Sequence, residues 1–462
     1  MTVAYKSVNP YTGETLATFA ELSADALEAA LARAAGCFGQ WRRTTFAERA
    51  AVVAKAAGIM RADVDRFARP VTLEMGKRIA ESRGEVLLCA DILDYYADHA
   101  EAFLAPQVLS PASGAATVEN HPIGVLFGVE PWNFPYYQLS RFAAPNLMAG
   151  NTIVVKHSAA VPQCAAAFEQ LWTDAGAPLG TYTDLRISYE QVSRVIADPR
   201  VVGAAFTGST EGGRAIAALA GQNLKKSTME LGGSDAFIVL EDADLPGAVK
   251  WAVWAKMNNA GQSCVAAKRF IVVEPLADEF LEMFQASLAT LQHGDPMDET
   301  TTLAPLSSEA ALTKLLDQVD RAVSAGANVV MGGRRIDCRG AFMQPTILSD
   351  IKPDNPAYAE EFFGPIALFF RVKDEDEAVA LANDTPFGLG GSVFTGDVAR
   401  GLRVASRIDT GMVFINHPTW SAPDLPFGGI LNSGYGRELS ALGIQEFVNK
   451  KLVRVAALDD QP

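Results

Sequence analysis

The chain runs to 462 residues. That is too many for one hydrophobic core, which stops growing near roughly 250–300 residues, and about 150 residues per domain gives a prior of about three. Hydrophobic residues make up 49% and charged residues 20%, a globular balance that argues against long disorder, collagen and coiled coil. The 39 Lys+Arg against 54 Asp+Glu leave a formal net charge of −15, so nucleic acid is not expected as a partner and an anionic substrate needs a local cation.

In chain order, residues 23–100 read as helices. The segment 24–41 carries apolar residues at helical spacing with Ser23 as N-cap, 46–67 repeats the pattern, and Pro70 suits the start of a third helix running to about His99. A Pro/Ser/Gly break at 106–114 precedes a short polar strand at 115–122. Strands at 124–129, 152–155, 183–188 and 201–206 then alternate with helical stretches, one of them at 162–174. This is the pattern of βαβ units in a mostly parallel sheet, whose ligands bind beyond the carboxyl ends of strands. The alternation restarts after Glu230, with strands at 236–240 and 270–273 and helices at 245–258 and 278–291, so a second α/β unit is expected. Residues 447–457 alternate apolar and basic positions, as a terminal strand would, open to addition to a neighbour's sheet.

Five cysteines, odd in number, far apart and without CxxC, argue against a disulfide framework or zinc knuckle and fit a reducing compartment. Five histidines form no HxxxH or HxH pair, so no metal site is expected. The start, MTVAYKSVNPYTGE, lacks a signal-peptide h-region, and no apolar run is long enough to span a bilayer. The chain reads as cytoplasmic, with no membrane partner.

Four segments could carry chemistry. Asn258-Asn259-Ala260-Gly261-Gln262-Ser263-Cys264 places a thiol after a Gly-Gln turn; a thiolate there would be a strong nucleophile, although a buried inert thiol is the commoner fate of a lone cysteine. Met229-Glu230-Leu231-Gly232-Gly233 sets a carboxylate before two glycines. It is either a desolvated general base or a plain strand-end carboxylate. Phe206-Thr207-Gly208-Ser209-Thr210-Glu211-Gly212-Gly213 joins a strand to a helix; it suits a phosphate at the helix N-terminus or a tight turn equally, and it is neither a Walker A loop nor GxGxxG. Pro131-Trp132-Asn133-Phe134-Pro135 holds an amide between two prolines, as an oxyanion hole or a rigid turn would.

Taken together and in this order, these segments resemble the aldehyde dehydrogenase family across essentially the whole chain. Lys156, Glu361-Phe362-Phe363-Gly364-Pro365, Asn416, Pro426-Phe427-Gly428-Gly429 and Ser433-Gly434-Tyr435-Gly436-Arg437-Glu438 agree. The resemblance implies an α/β fold of two Rossmann-like domains plus a small β oligomerisation element. Residues 1–103 and 123–232 would bind cofactor, 233–430 would be catalytic, and 104–122 with 445–462 would join subunits into a homodimer or homotetramer. It further implies that Cys264 attacks an aldehyde, that Asn133 and the Cys264 N–H hold the oxyanion, and that Glu230 activates the water that hydrolyses a thioester. NADP or NAD would accept the hydride. Ser209 would meet the pyrophosphate, Lys156 the adenosine ribose and Glu361 the nicotinamide ribose, with Trp132, Phe363, Gly208, Leu231 and Ser158 as further cofactor contacts.

Where many NAD-preferring members carry Glu, this chain has Ala159, so no carboxylate repels a 2′-phosphate and NADP should be accepted. Leu431 replaces a common Lys, with no evident consequence, and Ser263 leaves no cysteine beside the nucleophile. Arg141 stands where members acting on succinic semialdehyde grip the substrate carboxylate, and its fork suits that group. A second arginine of some such members is replaced by Asn258, for which Ser421 could compensate. The phrasing of residues 127–138 and 231–237 resembles a bacterial subgroup acting on succinic semialdehyde. Glutarate semialdehyde or neutral aliphatic aldehydes are the alternatives, since one methylene is worth only roughly 1–3 kcal/mol. A non-catalytic scaffold and a cofactor-free thioesterase are the readings from other classes.

Overall fold

The computed structural model describes residues 5–111 and 113–459. The first four residues, position 112 and positions 460–462 of the expected oligomerisation element lie outside the described residues.

The first large sheet has six strands, in the spatial order Gly434–Tyr435, Lys226–Glu230, Val201–Thr207, Val125–Glu130, Thr152–His157 and Tyr182–Asp184. All are parallel except Gly434–Tyr435, which pairs antiparallel with Lys226–Glu230. Chain order reverses between Val125–Glu130 and Val201–Thr207. This is a topological switch point, and the crevice past its carboxyl ends is where such sheets bind ligands. The strand Thr152–His157 is buried along its whole length, as expected for a parallel strand covered on both faces.

The second sheet has seven strands, in the order Asn328–Met331, Thr346–Ser349, Ile366–Val372, Ala267–Val273, Asp235–Val239, Gly391–Phe394 and Phe414–Ile415. Only Asn328–Met331 runs antiparallel to its neighbour. A third, antiparallel sheet orders Val448–Val455, Ala115–Pro122 and Gln107–Leu109. The terminal strand thus pairs within its own chain, and among the described residues its outer edge meets no strand.

Helix boundaries follow local chemistry in places. Ser23 caps Ala24–Trp41 as its sequence predicts, and Thr45 with Glu48 forms a capping box on Phe46–Ala62. The expected helix start at Pro70 is not observed. Pro70 lies inside Val64–Met75, which Asp63 caps and left-handed Gly76 (φ 81°) ends, and the long helix begins instead at Ile79. A side-chain cap before it and a glycine after it outweigh the proline as punctuation.

Two helices start at a proline and lack a cap of their own, Pro135–Met148 and Pro162–Ala175. Distant buried carboxylates supply it. Glu85 Oε1 accepts from the Tyr136 and Tyr137 N–H groups at 2.8 and 3.1 Å. Glu74 accepts from Gln163 and Cys164 at 2.9 and 3.0 Å. Glu85 is also ion-paired with Lys77, which sits over the Phe134 ring. Glu85→Ala should therefore strand a buried ammonium and two N–H groups. Chemical denaturation should show a loss of about 3–5 kcal/mol, the usual cost of breaking a buried pair.

Candidate active site

The two sheets meet with opposite polarity. Loops leaving the carboxyl ends of the first sheet carry Pro131-Trp132-Asn133, Thr207-Gly208-Ser209 and Glu230. Segments entering the amino ends of the second carry Gly233, Cys264 and Glu361-Phe363. A cleft of about 690 Å³ lies between them, lined by Trp132, Asn133, Ser209, Glu230, Cys264 and Glu361 among others.

Cys264 follows a strained turn. Asn259, Ala260 and Gly261 are all left-handed, with φ of 54°, 52° and 75°. Such backbone costs a non-glycine residue roughly 1–2 kcal/mol. At Gly261 a Cβ would lie 2.1 Å from the Gly364 carbonyl oxygen, so only glycine fits. The turn is held by Asn259, whose Nδ2 donates to the Asn133 and Gln262 carbonyls at 2.9 and 3.1 Å. Asn133 Nδ2 also donates to the Gln262 carbonyl, at 3.1 Å. The side-chain amides of Asn133 and Gln138 lie 2.8 Å apart.

The Cys264 thiol is open to the cleft yet surrounded by protein. Burial pushes it up to about 11, against the pull of Lys268 and Arg141 and with a further push from Glu361 and Glu230. Glu230 is buried, and neither carboxylate oxygen has a hydrogen-bond partner. Burial holds it well above the usual carboxylate range, Arg141 pulls it down and Glu438 pushes it up.

Cys264 also lines a second, narrower cavity on the other side, with Tyr137, Arg141, Trp254, Trp420, Ser421 and Phe427. Arg141 is 1% exposed. It pairs with Glu438, donates to the Tyr137 hydroxyl at 3.3 Å and to Thr207 Oγ1 at 3.1 Å, and lies between the Tyr137 and Phe427 rings. The Tyr137 hydroxyl donates to Ser421 Oγ at 2.7 Å. Arg141 and Ser421 are therefore joined through Tyr137 and face the same cavity as the thiol.

The wide cleft fits a dinucleotide. Ser209 caps the 13-residue helix Thr210–Gln222, its hydroxyl accepting from Gly212 at 3.1 Å, so the helix start opens beside the cleft as an anion site. Gly208 is at its lip, and Leu231 packs where a Cβ on Gly213 would go. Trp132 and Phe363 meet edge-to-face at 5.9 Å on its wall. Glu361 Oε1 accepts from the Gly233 N–H at 3.1 Å, and a Cβ on Gly232 would lie 2.4 Å from Oε2. Lys156 and Ser158 do not line this cleft; Lys156 lies within the neighbouring strand Thr152–His157 and Ser158 directly follows it. Lys156 is 6% exposed, donates to the His157 carbonyl at 3.2 Å and lies 5.3 Å from both the Tyr5 and Tyr189 ring centres. Burial lowers its pKa, with Asp184 and Glu21 opposing.

Four polar groups around the site went unassigned in the sequence. Glu130, Glu438, Thr207 and Lys268 carry no local signature. Each is polar in a segment read as strand, turn or motif, and only the packing turns it toward the site. Among the described residues no group of His, Cys, Asp and Glu could hold a metal, and no helix is long and apolar enough to cross a membrane.

The chain matches the family model described as Aldehyde dehydrogenase family over residues 2–453. It is 50% identical over 458 residues to the succinate-semialdehyde dehydrogenase (NADP(+)) of Deinococcus radiodurans, covering 99% of this chain and 96% of that one. It is 46% identical over 453 residues to succinate-semialdehyde dehydrogenase (NADP(+)) 1 of Mycobacterium bovis, covering 97% and 99%. Its fold matches that of succinic semialdehyde dehydrogenase from Streptococcus pyogenes in complex with NADP+ with a TM-score of 0.97 and 48% identity, covering 98% of this chain and 100% of that chain. With a thiol-bearing loop, a buried carboxylate and a wide cleft assembled at one sheet junction, and with a family match over residues 2–453, this chain belongs to the aldehyde dehydrogenase family.

Proposed function

We propose that the protein oxidises succinic semialdehyde to succinate with NADP+, or less readily NAD+, as oxidant. The observation that carries this reading is that one thiol, Cys264, opens on both cavities, the wide cleft and the narrow pocket holding Arg141 and Ser421. The substrate carboxylate would sit by the Arg141 guanidinium, Tyr137 and Ser421, placing the aldehyde carbon at the sulfur. The thiolate forms the C–S bond, and the carbonyl oxygen takes up the negative charge, accepting from Asn133 Nδ2 and the Cys264 N–H. Trp132, Gly208, Ser209, Leu231, Glu361 and Phe363 would hold a nicotinamide cofactor in the wide cleft, with Lys156 and Ser158 beyond its edge at the adenosine end, and the cofactor would supply the acceptor for the hydride that the adduct carbon gives up as the oxyanion collapses to a thioester. Glu230 then takes a proton from water. The water oxygen bonds to the thioester carbon, the C–S bond breaks, and the carboxylate leaves with the thiol restored. Ala159 and Lys156 support the 2′-phosphate, and the NADP-linked relatives support the same choice.

Neutral aldehydes are a second reading, because Glu438 already neutralises part of the Arg141 charge. The division into a cofactor domain (1–103 and 123–232), a catalytic domain (233–430) and a subunit-joining element (104–122 and 445–462) is part of the proposal, as are a cytoplasmic location and a homodimer or homotetramer. Leu452 and Val455 are 60% and 65% exposed on the open edge strand, which supports a subunit contact there.

Steady-state kinetics with succinic semialdehyde and butanal under each cofactor test the assignment. Cys264→Ala should lower kcat by about 1,000-fold or more, and wild-type turnover in that variant would sink the proposal. Arg141→Ala should raise KM for succinic semialdehyde about 10-fold or more while changing that for butanal by less than about 3-fold. Equal effects would remove Arg141 from substrate binding.

The pH dependence has a definite sign. Cys264 and Glu230 both act deprotonated, and burial holds both above their ordinary values. The active fraction therefore grows as pH rises. The rate constant for Cys264 alkylation by iodoacetamide should climb about 10-fold per unit between roughly pH 7 and 9.

A further inference from the structure

Lys268 lies four residues past the nucleophile, at the entry of the strand Ala267–Val273, and is 0% exposed. Its ammonium has two hydrogen-bond acceptors and one ion-pair partner. Nζ donates to the Ser263 carbonyl at 2.7 Å and to the Cys264 carbonyl at 2.6 Å, and lies 3.3 Å from Glu361 Oε1. One buried cation thus ties together the two peptide carbonyls that flank the nucleophile and the carboxylate on the opposite wall of the wide cleft.

The consequence follows from peptide planarity. No cis peptide occurs among the described residues. In a planar trans unit the C=O and the following N–H point in opposite directions. Drawing the Ser263 carbonyl onto Lys268 therefore turns the Cys264 N–H away from Lys268. Among the described residues that N–H has no acceptor. Cys264 lines the wide cleft, so this unengaged donor is available to an acceptor bound there. We infer that Lys268 is a positioning residue, which aims the Cys264 N–H at the oxygen of the sulfur adduct and locks the nucleophile loop to Glu361.

This rests on the thiol chemistry proposed above, and its charged surroundings are compatible with it. Lys256 is buried nearby with its amine unpartnered, and burial and Lys268 together hold its pKa well below the ordinary value. Asp235 and Glu361 face the same ammonium. Lys268 alone has carbonyls to hold, so it is the lysine that orients the loop. The left-handed turn over residues 259–261 gives that orientation something to hold against.

The test uses the full chain without cofactor, so that it does not depend on aldehyde oxidation. Acylation is read as the p-nitrophenolate burst from p-nitrophenyl acetate, which places negative charge on an oxygen. Alkylation by iodoacetamide, which creates no such oxyanion, reads the thiolate alone. Lys268→Met should slow acylation about 10- to 100-fold, the scale of a misaimed oxyanion donor. It should slow alkylation by a smaller factor and shift the alkylation profile to higher pH. Lys268→Gln, which keeps a donor for the carbonyls but no charge, should show the alkylation shift yet recover part of the acylation rate. Equal losses in both reactions would overturn the inference, leaving Lys268 only an electrostatic effect on sulfur. So would wild-type acylation in a folded Lys268→Met or, should that variant not fold, in Lys268→Gln. If the wild-type protein alkylates and acylates normally but oxidises no aldehyde, the functional reading fails while the loop inference stands.

Discussion

The hydrogen bonds from Asn259 Nδ2 hold the site together. They join the loop before Cys264 to the loop leaving Glu130, so segments belonging to two different sheets become one surface. Three consecutive left-handed residues are unfavourable in isolation, and here they persist because the surrounding contacts over-determine them. The strain has a use. It brings the chain into the second sheet with the thiol directed at the junction, rather than into the strand's own core.

Around that junction the protein buries an unusual amount of charge. Glu130, Glu230 and Glu438 all draw on the guanidinium of Arg141, with Arg437 also pulling on Glu230, and all three carboxyls are held above their ordinary range, chiefly by burial. Isolated buried carboxylates are costly, and a shared cation with partial protonation lowers that cost. The same arrangement leaves Glu230 without a fixed hydrogen-bond partner. On the other wall, the Lys268 ammonium is hydrogen-bonded to two backbone carbonyls and ion-paired with Glu361. Lys268 thus holds backbone through its partners, while Glu230, which has none, faces the wide cleft.

Helix placement shows the same division of labour. Pro135 and Pro162 pre-set the first turn of their helices but provide no side-chain acceptor, and the orphan N–H groups are met by Glu85 and Glu74 from a distant part of the chain. The helix behind Asn133 is therefore anchored by residues about fifty positions earlier. The loop carrying the amide inherits its rigidity from a contact that no local pattern describes.

Much of this was legible from the residues. Apolar runs at strand spacing, broken by glycine-rich turns, marked the parallel sheets. Ser23 marked a helix start, and the segments around Asn133, Ser209, Glu230, Cys264 and Glu361 stood out by composition and order. Those signals are local, because strand burial, capping and turn geometry depend on neighbours within a few positions. Other features were decided only by the fold: that Pro70 sits inside a helix, that Lys156 and Ser158 lie outside the wide cleft while Ser209 lies on it, that Arg141 is already paired with Glu438, and that Lys268 holds the carbonyls on either side of Cys264. Each depends on which side chains meet across two sheets. Such meetings are set by long-range packing and by the competition among buried charges for the partners within reach, neither of which is written in any short stretch of chain.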